Sequence, residues 1–229
     1  PDEIERLRSA ARVNESAFDA AAATVRDGGR WGDATKAWRL AWAEAGGVPM
    51  FWGGGAGSHA SQFYPMDTDY GVAAGDVIRF EGGGVLGGYW ADTGGSAVVG
   101  NPDARTERFA NAIAEGAAAA RKTIEPGATA EAVCSAVLDA IRSSGIPDFP
   151  ASNAWGHGIG LQLNERPRFR PGGDEVLQPG MVICFETPYF ELGWGGLQAE
   201  DTFLVTETGN ELLTHAPRDA WVLGGHHAG

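Results

Sequence analysis

Apolar residues along this chain recur with a helical period in four stretches, each closed by Gly or Pro. The first runs from Pro1-Asp2 to Val25, ahead of Arg26-Asp27-Gly28, and the second from about Asp33 to Ala45. The third opens at Pro102-Asp103 and breaks at Glu125-Pro126-Gly127, and the fourth runs from about Thr129 to Ser143. Spacing of this kind predicts amphipathic helices, and the punctuation supplies their stops. Two short apolar runs read instead as strands. They are Gly75-Asp76-Val77-Ile78-Arg79-Phe80-Glu81 and Gly180-Met181-Val182-Ile183-Cys184-Phe185-Glu186.

The order of these elements repeats. Gly47-Val48-Pro49-Met50-Phe51 closes the second helix and Gly145-Ile146-Pro147-Asp148-Phe149 closes the fourth. The two strand runs match at Gly, Val, Ile, Phe and Glu, and Gly87-Gly88-Tyr89-Trp90-Ala91-Asp92 then aligns with Gly195-Gly196-Leu197-Gln198-Ala199-Glu200. Residues 1–229 therefore read as a single domain made of two duplicated halves, about 1–100 and 101–215. Each half is helix, helix, strand, then a hairpin with an acid on both arms. The expected fold is α+β, a pseudo-twofold unit with a curved antiparallel sheet and helices on its outer face.

Composition narrows the partners. The net charge is −13 and the isoelectric point about 4.7, which argues against nucleic acid, since phosphate binding needs clustered Lys and Arg. No apolar run approaches the roughly 20 residues of a membrane span, and no secretory leader is recognisable. Cys134 and Cys184 lie in apolar contexts and read as buried thiols of a cytoplasmic protein rather than a disulfide framework. The chain starts abruptly in a helix-like segment, so a preceding domain is an open expectation.

The repeat carries the candidate chemistry. A pseudo-twofold axis brings Glu81 together with Glu186, and Asp92 with Glu200, in one concave place. Unpaired carboxylates there repel one another and resist burial, and a divalent cation removes the conflict. An imidazole added to such a set shifts its preference towards transition metals. Of five histidines, His157 is the best placed, in Trp155-Gly156-His157-Gly158-Ile159-Gly160, where glycines let the backbone turn closely and expose the ring. His226 and His227 sit in a Gly-rich tail and read as solvated. The alternative for each acid is a solvated strand end, or for Asp92 a turn cap ahead of Thr93-Gly94.

Taken together, His157-Gly158-Ile159-Gly160-Leu161, Pro179-Gly180-Met181 leading to Glu186, and Glu200-Asp201-Thr202 before Val205-Thr206 resemble the pita-bread metallopeptidases. That family includes methionine aminopeptidases, Xaa-Pro peptidases, creatinase and non-peptidase relatives. The resemblance implies a pita-bread fold and five ligands, Glu81, Asp92, His157, Glu186 and Glu200, holding one or two divalent ions (Mn, Co, Fe or Zn). It also implies a metal-activated water attacking an amide bond, with Glu186 as general base. A small peptide or small-molecule substrate, a homodimer and an N-terminal domain belong to the same expectation.

The chain departs from the family pattern at several places. Glu81 stands where the family has Asp, one methylene longer, which is expected to weaken one of two metal positions. Glu186-Thr187-Pro188 replaces Glu-Pro-Gly. Asn164 and the Phe63-Tyr64 stretch replace two histidines, and Asn164 and Tyr64 can still donate hydrogen bonds to an oxyanion. His59 is a further candidate to replace one of them. Thr93-Gly94-Gly95-Ser96 follows Asp92 where the family carries an arginine. Three functions stay open: a peptidase or amidohydrolase, a metal-dependent relative acting on a small metabolite by C–N cleavage or lyase chemistry, and a non-catalytic binding fold-mate. Trp52, Trp155 and Trp194 read first as core packing, with an apolar pocket lined by all three as the alternative.

Overall fold

The computed structural model describes residues 2–64, 68–152, 154–215 and 221–223. The first helix, α1 (Asp2–Ala22), buries Leu7, Ala10, Ala11, Asn14, Ala17, Phe18 and Ala21, the helical spacing read from the sequence. It ends three residues before Val25. α2 (Trp31–Glu44) buries Trp31, Ala34, Thr35, Trp38 and Trp42. Asn14 ties the pair to the sheet: its Nδ2 donates to the Gly82 carbonyl at 2.8 Å, and its Oδ1 accepts from Trp38 and Trp42 Nε1 at 3.3 and 3.1 Å. A buried amide is tolerated because its bonds are made.

Strands β1 (Val48–Trp52), β2 (Gly55–Ala56), β3 (Val77–Leu86) and β4 (Tyr89–Val99) complete the first half. β3 and β4 form one unbroken hairpin from Val77↔Val98 to Leu86↔Tyr89. Its turn is Gly87-Gly88, with φ of 58° and 89°, the left-handed pair that a two-residue hairpin needs.

The second half repeats the helices as α3 (Ala104–Thr123) and α4 (Ala130–Ser143). Asp103 and Thr129 cap them, accepting from Thr106 N at 2.7 Å and Ala132 N at 3.2 Å. There follow β5 (Gly156–Gly158), β6 (Glu165–Phe169), β7 (Val182–Glu186), β8 (Tyr189–Glu191), β9 (Gly195–Leu197), β10 (Glu200–Val205), β11 (Asn210–Leu212) and β12 (Trp221–Leu223). The main sheet runs β1-β3-β4-β10-β7-β5-β6, with β2, β11 and β12 attached to β3, β10 and β4, while β8 and β9 pair apart. Every pairing but β12 with β4 is antiparallel.

Two large cores flank the shared sheet, and a smaller third cluster gathers Leu7, Ile159, Val182, Cys184, Leu204 and Leu213. One large core gathers Phe18, Trp31, Trp38, Trp42, Ile78 and Phe80 under the first helix pair, and the other gathers Phe109, Ile113, Val137, Ile141, Ile183 and Phe203 under the second. The pleat sends Ile78, Phe80, Ile183, Phe185 and Phe203 to these cores. Period-2 alternation therefore sends Arg79, Glu81, Asp92, Cys184, Glu186, Glu200 and Thr202 to the opposite, concave face.

Candidate metal centre

Strand register brings the acids together. Glu186 lies directly opposite Glu200, and Glu200 also pairs with Gly94, joining the two halves. Glu81, however, lies opposite Gly94, and Asp92 opposite Gly83. The second acids of the two hairpins thus do not occupy equivalent ladder positions, as the sequence alignment implied. Asp92 is two residues from Gly94, one full pleat period, so it still faces the same way. It sits inside β4 and caps no turn. His157 joins from β5, opposite Cys184.

The glycines around His157 serve strand packing. A Cβ on Gly156 would lie 2.1 Å from the Cys184 carbonyl, and one on Gly158 2.2 Å from the Arg166 carbonyl. The ring is not exposed as expected: His157 is 9% accessible, because strands close over both sides of it.

Glu81, Asp92, His157, Glu186 and Glu200 all line one cavity of about 360 Å³, together with Tyr64 and Asn164. Burial first, then Asp92, pushes the Glu81 carboxyl up to about 8. Burial, then Glu81 and Asp92, does the same to Glu186. Burial, the largest single influence, pulls the His157 imidazole down, but the bond to and charge of Asp92, with the Gly158 carbonyl and Glu186, together outweigh it and the net direction is upward. Tyr64 is raised by burial and by Glu81, so its phenol stays a neutral donor.

These residues fit a divalent cation. The carboxyls hold protons that a cation can replace, since like charges this close cannot all ionise. His157 Nδ1 lies 3.0 Å from the Gly158 carbonyl and Nε2 3.4 Å from Asp92 Oδ2, so the ring needs a proton on both sides when no cation is present. With Nδ1–H donating to a carbonyl, Nε2 is the nitrogen that faces the cluster. Among the described residues, the buried Asp92 Oδ1 accepts no hydrogen bond.

Three residues of this face were missed by the sequence reading. Cys184 Sγ lies with carboxylate oxygens of Asp92 and Glu200 inside a 4.8 Å group. Burial pushes its thiol well up, and Sγ already contacts the Asp92 carbonyl and Thr202 Oγ1, each at 3.4 Å. We therefore place it in the floor of the site rather than among the ligands. Arg79 and Gln198 are the other two. Gln198 Nε2 donates to Glu81 Oε2, and Arg79 Nη1 donates to Gln198 Oε1 at 3.3 Å. The one available signal was spacing: each lies two residues before an acid of the cluster.

The three tryptophans take the core-packing reading, not the pocket. Trp52 packs against Trp31 and Trp38, Trp155 against Phe149 and Phe185, and Trp194 against Phe109 and Tyr189. None lines the cavity, whose apolar wall is Phe51, Phe63, Tyr64, Leu163 and Phe169. Large indoles fill the two cores, where their area counts most. His59 packs at a tilt against Tyr70 with ring centroids 4.6 Å apart, and it is not among the residues lining the cavity, so it replaces neither histidine there. Cys134 and Cys184 are buried free thiols, as expected. His226 and His227 lie outside the described residues. Among the described residues no helix is long and apolar enough to cross a membrane.

A family model described as metallopeptidase family M24 matches residues 5–207. The chain is 29% identical over 220 residues to an Xaa-Pro dipeptidase of Pyrococcus furiosus, covering 95% of this chain and 63% of that protein. It is 31% identical over 170 residues to a probable dipeptidase PepE of Mycobacterium bovis, covering 74% of this chain and 45% of that one. Among solved structures, the prolidase from Pyrococcus furiosus matches with a TM-score of 0.89 at 27% identity, over 95% of this chain and 65% of its own. Dipeptidase PepE from Mycobacterium ulcerans matches with a TM-score of 0.92 at 24% identity, over 98% and 61%, and bears on the fold alone. The chain spans about half the length of the curated relatives it matches. The duplicated α+β architecture is the pita-bread fold of these structures.

Proposed function

The chain belongs to metallopeptidase family M24, and from that premise we propose that it is a metal-dependent peptidase of the Xaa-Pro type acting on short peptides. The observation that carries this reading is the convergence of Glu81, Asp92, His157, Glu186 and Glu200 on one cavity with Tyr64 and Asn164. Those five residues hold one or two divalent ions, drawn from Mn, Co, Fe or Zn. An ion there lowers the pKa of a water and polarises the scissile carbonyl.

The remaining work falls to the protein's own groups. Glu186, at the cavity edge of the cluster, takes the proton from the attacking water and returns it to the leaving amine. The Tyr64 phenol and the Asn164 amide donate hydrogen bonds to the oxyanion, in place of the family's histidines. Arg168 and Arg170 also line the cavity and give a terminal carboxylate a cationic partner. A volume near 360 Å³ falls at the small end of ligand pockets, about 300–1,000 Å³, and suits a dipeptide better than a long chain. We place the enzyme in the cytoplasm, as a homodimer.

The replacement of both histidines favours a second reading, a relative that keeps the metal and cleaves a small metabolite. Hydrolysis of Xaa-Pro dipeptides after loading with Mn²⁺ or Co²⁺, abolished by chelator, supports the peptidase. Stoichiometric metal without dipeptide cleavage supports the second reading. Absence of tight metal rejects both and leaves a binding module.

A further inference from the structure

The first acid of the cluster is held by two buried side chains outside the ligand set, Arg79 and Gln198. Arg79 sits two residues before Glu81 on β3, its side chain 1% exposed, directly across the ladder from Ser96. Its Nε donates to the Ala60 carbonyl at 3.0 Å, and Nη2 donates to the carbonyls of Gly53, Gln62 and Phe63. Nη1 lies 3.3 Å from Gln198 Oε1 and 3.9 Å from Glu81 Oε2. The guanidinium also lies 4.8 Å from the centre of the Phe190 ring.

This arrangement fixes the Gln198 amide. A guanidinium only donates, so the amide oxygen must face Arg79, and the NH₂ group must then face the Glu81 carboxylate, to which it donates. Glycines make room for the longer acid. A Cβ on Gly53 would lie 2.7 Å from Glu81 Cγ, and one on Gly94 would lie 1.8 Å from Gln198 Nε2 and 2.9 Å from Glu81 Oε2. Glu has one more torsion than Asp, and an unheld carboxylate spreads over more rotamers.

We propose that Arg79 and Gln198 are positioning residues that aim the Glu81 carboxylate at the cation, compensating for Glu where the family has Asp. The proposal rests on the metal reading above. It also links the metal cluster to the wall of the cavity, because the carbonyls that Arg79 grips belong to the segment ending in Phe63.

The test is calorimetric titration of chelator-stripped protein with Co²⁺, with circular dichroism as the check on folding. Outer-shell partners of ligands are worth about 10–100-fold in metal affinity. Gln198→Ala is expected to weaken Co²⁺ binding by about that factor. Arg79→Lys is expected to do the same, since lysine keeps the charge but not the planar fork. In the Glu81→Asp background the shorter acid no longer depends on Gln198, and Gln198→Ala then changes affinity by no more than about twofold, the tolerance of independent sites. A purely structural role costs the same in both backgrounds, and that result overturns the proposal, as does a Gln198→Ala protein that binds Co²⁺ like the parent. If Arg79→Lys fails to fold, the Gln198 pair of variants decides. Parent protein that takes up no Co²⁺ overturns the metal reading itself, and the proposal with it.

Discussion

The two acid-bearing hairpins share a sequence pattern but not a shape. In the first, β3 and β4 pair without interruption and Glu81 faces a glycine across the ladder. In the second, β7 stops at Thr187-Pro188, the chain detours through β8 and β9, and it returns at Glu200 directly opposite Glu186. Like charges directly opposite are destabilising, and the crowding extends across the halves, since Glu186 is raised by Glu81 and Asp92 as well as by burial. In the first, the acid is held from across the halves, with Gln198 of the second half donating to Glu81 and the Arg79 charge close by. On the function proposed above, Glu81 serves to hold the cation and Glu186 to act as base, a division of tasks between the two halves.

The sharpest way to break this comparison is to neutralise the two matched acids in turn. Glu186→Gln is expected to lower turnover of Xaa-Pro dipeptides by about 10²–10⁴-fold, the range of a lost general base. Glu81→Gln should act mainly through metal affinity, so excess Co²⁺ should restore much of its activity and little of the other's. Equal recovery of both variants would contradict the division of tasks.

Stability should separate the halves too. The first core is aromatic, with Trp38 about 5.0 Å from Trp52 and 6.2 Å from Trp42. Trp38→Ala should cost about 3–5 kcal/mol by urea unfolding. In the second core Ile141 lies across from Gly116, where a Cβ would come within 2.6 Å of its Cγ1. Ile141→Val there should cost only about 0.5–1.5 kcal/mol.

The acid cluster itself sets a pH dependence. Glu81 and Glu186 have folded values raised from 4.5 to about 8, so the folded protein keeps protons that the unfolded chain releases. Their contribution is fully present below about 4.5 and is lost as pH rises to about 8. His157, also raised, acts in the same direction. The melting temperature of chelated protein should therefore fall between pH 5 and 8, and added Mn²⁺ or Co²⁺ should flatten that fall. A flat profile without metal would show that the carboxyls are not buried together.

The smallest effect concerns helix starts. Asp103 caps α3 by accepting from Thr106 N, and Asp103→Ala should cost about 1 kcal/mol. Arg30, at the same position before α2, makes no capping bond. Arg30→Ala should leave unfolding nearly unchanged.

Much of this was legible in the chain. The four helical stretches, the strand runs and the acids that end them follow from local periodicity and Gly and Pro punctuation, which depend on near neighbours alone. The repeat then indicated that Glu81, Asp92, Glu186 and Glu200 meet, and His157 stood out by its glycines. Tertiary structure decided the rest. Ladder register, which placed Glu200 opposite Gly94 as well as Glu186, depends on hydrogen bonds between strands far apart in sequence. The sites of Trp52, Trp155 and Trp194 depended on which cavity was left once the cores were filled. The contact of Arg79 with Gln198 appeared only because the connection between β9 and β10 of the other half passes beside it. A side chain's periodicity tells which face it takes, but its partners on that face are chosen by the fold.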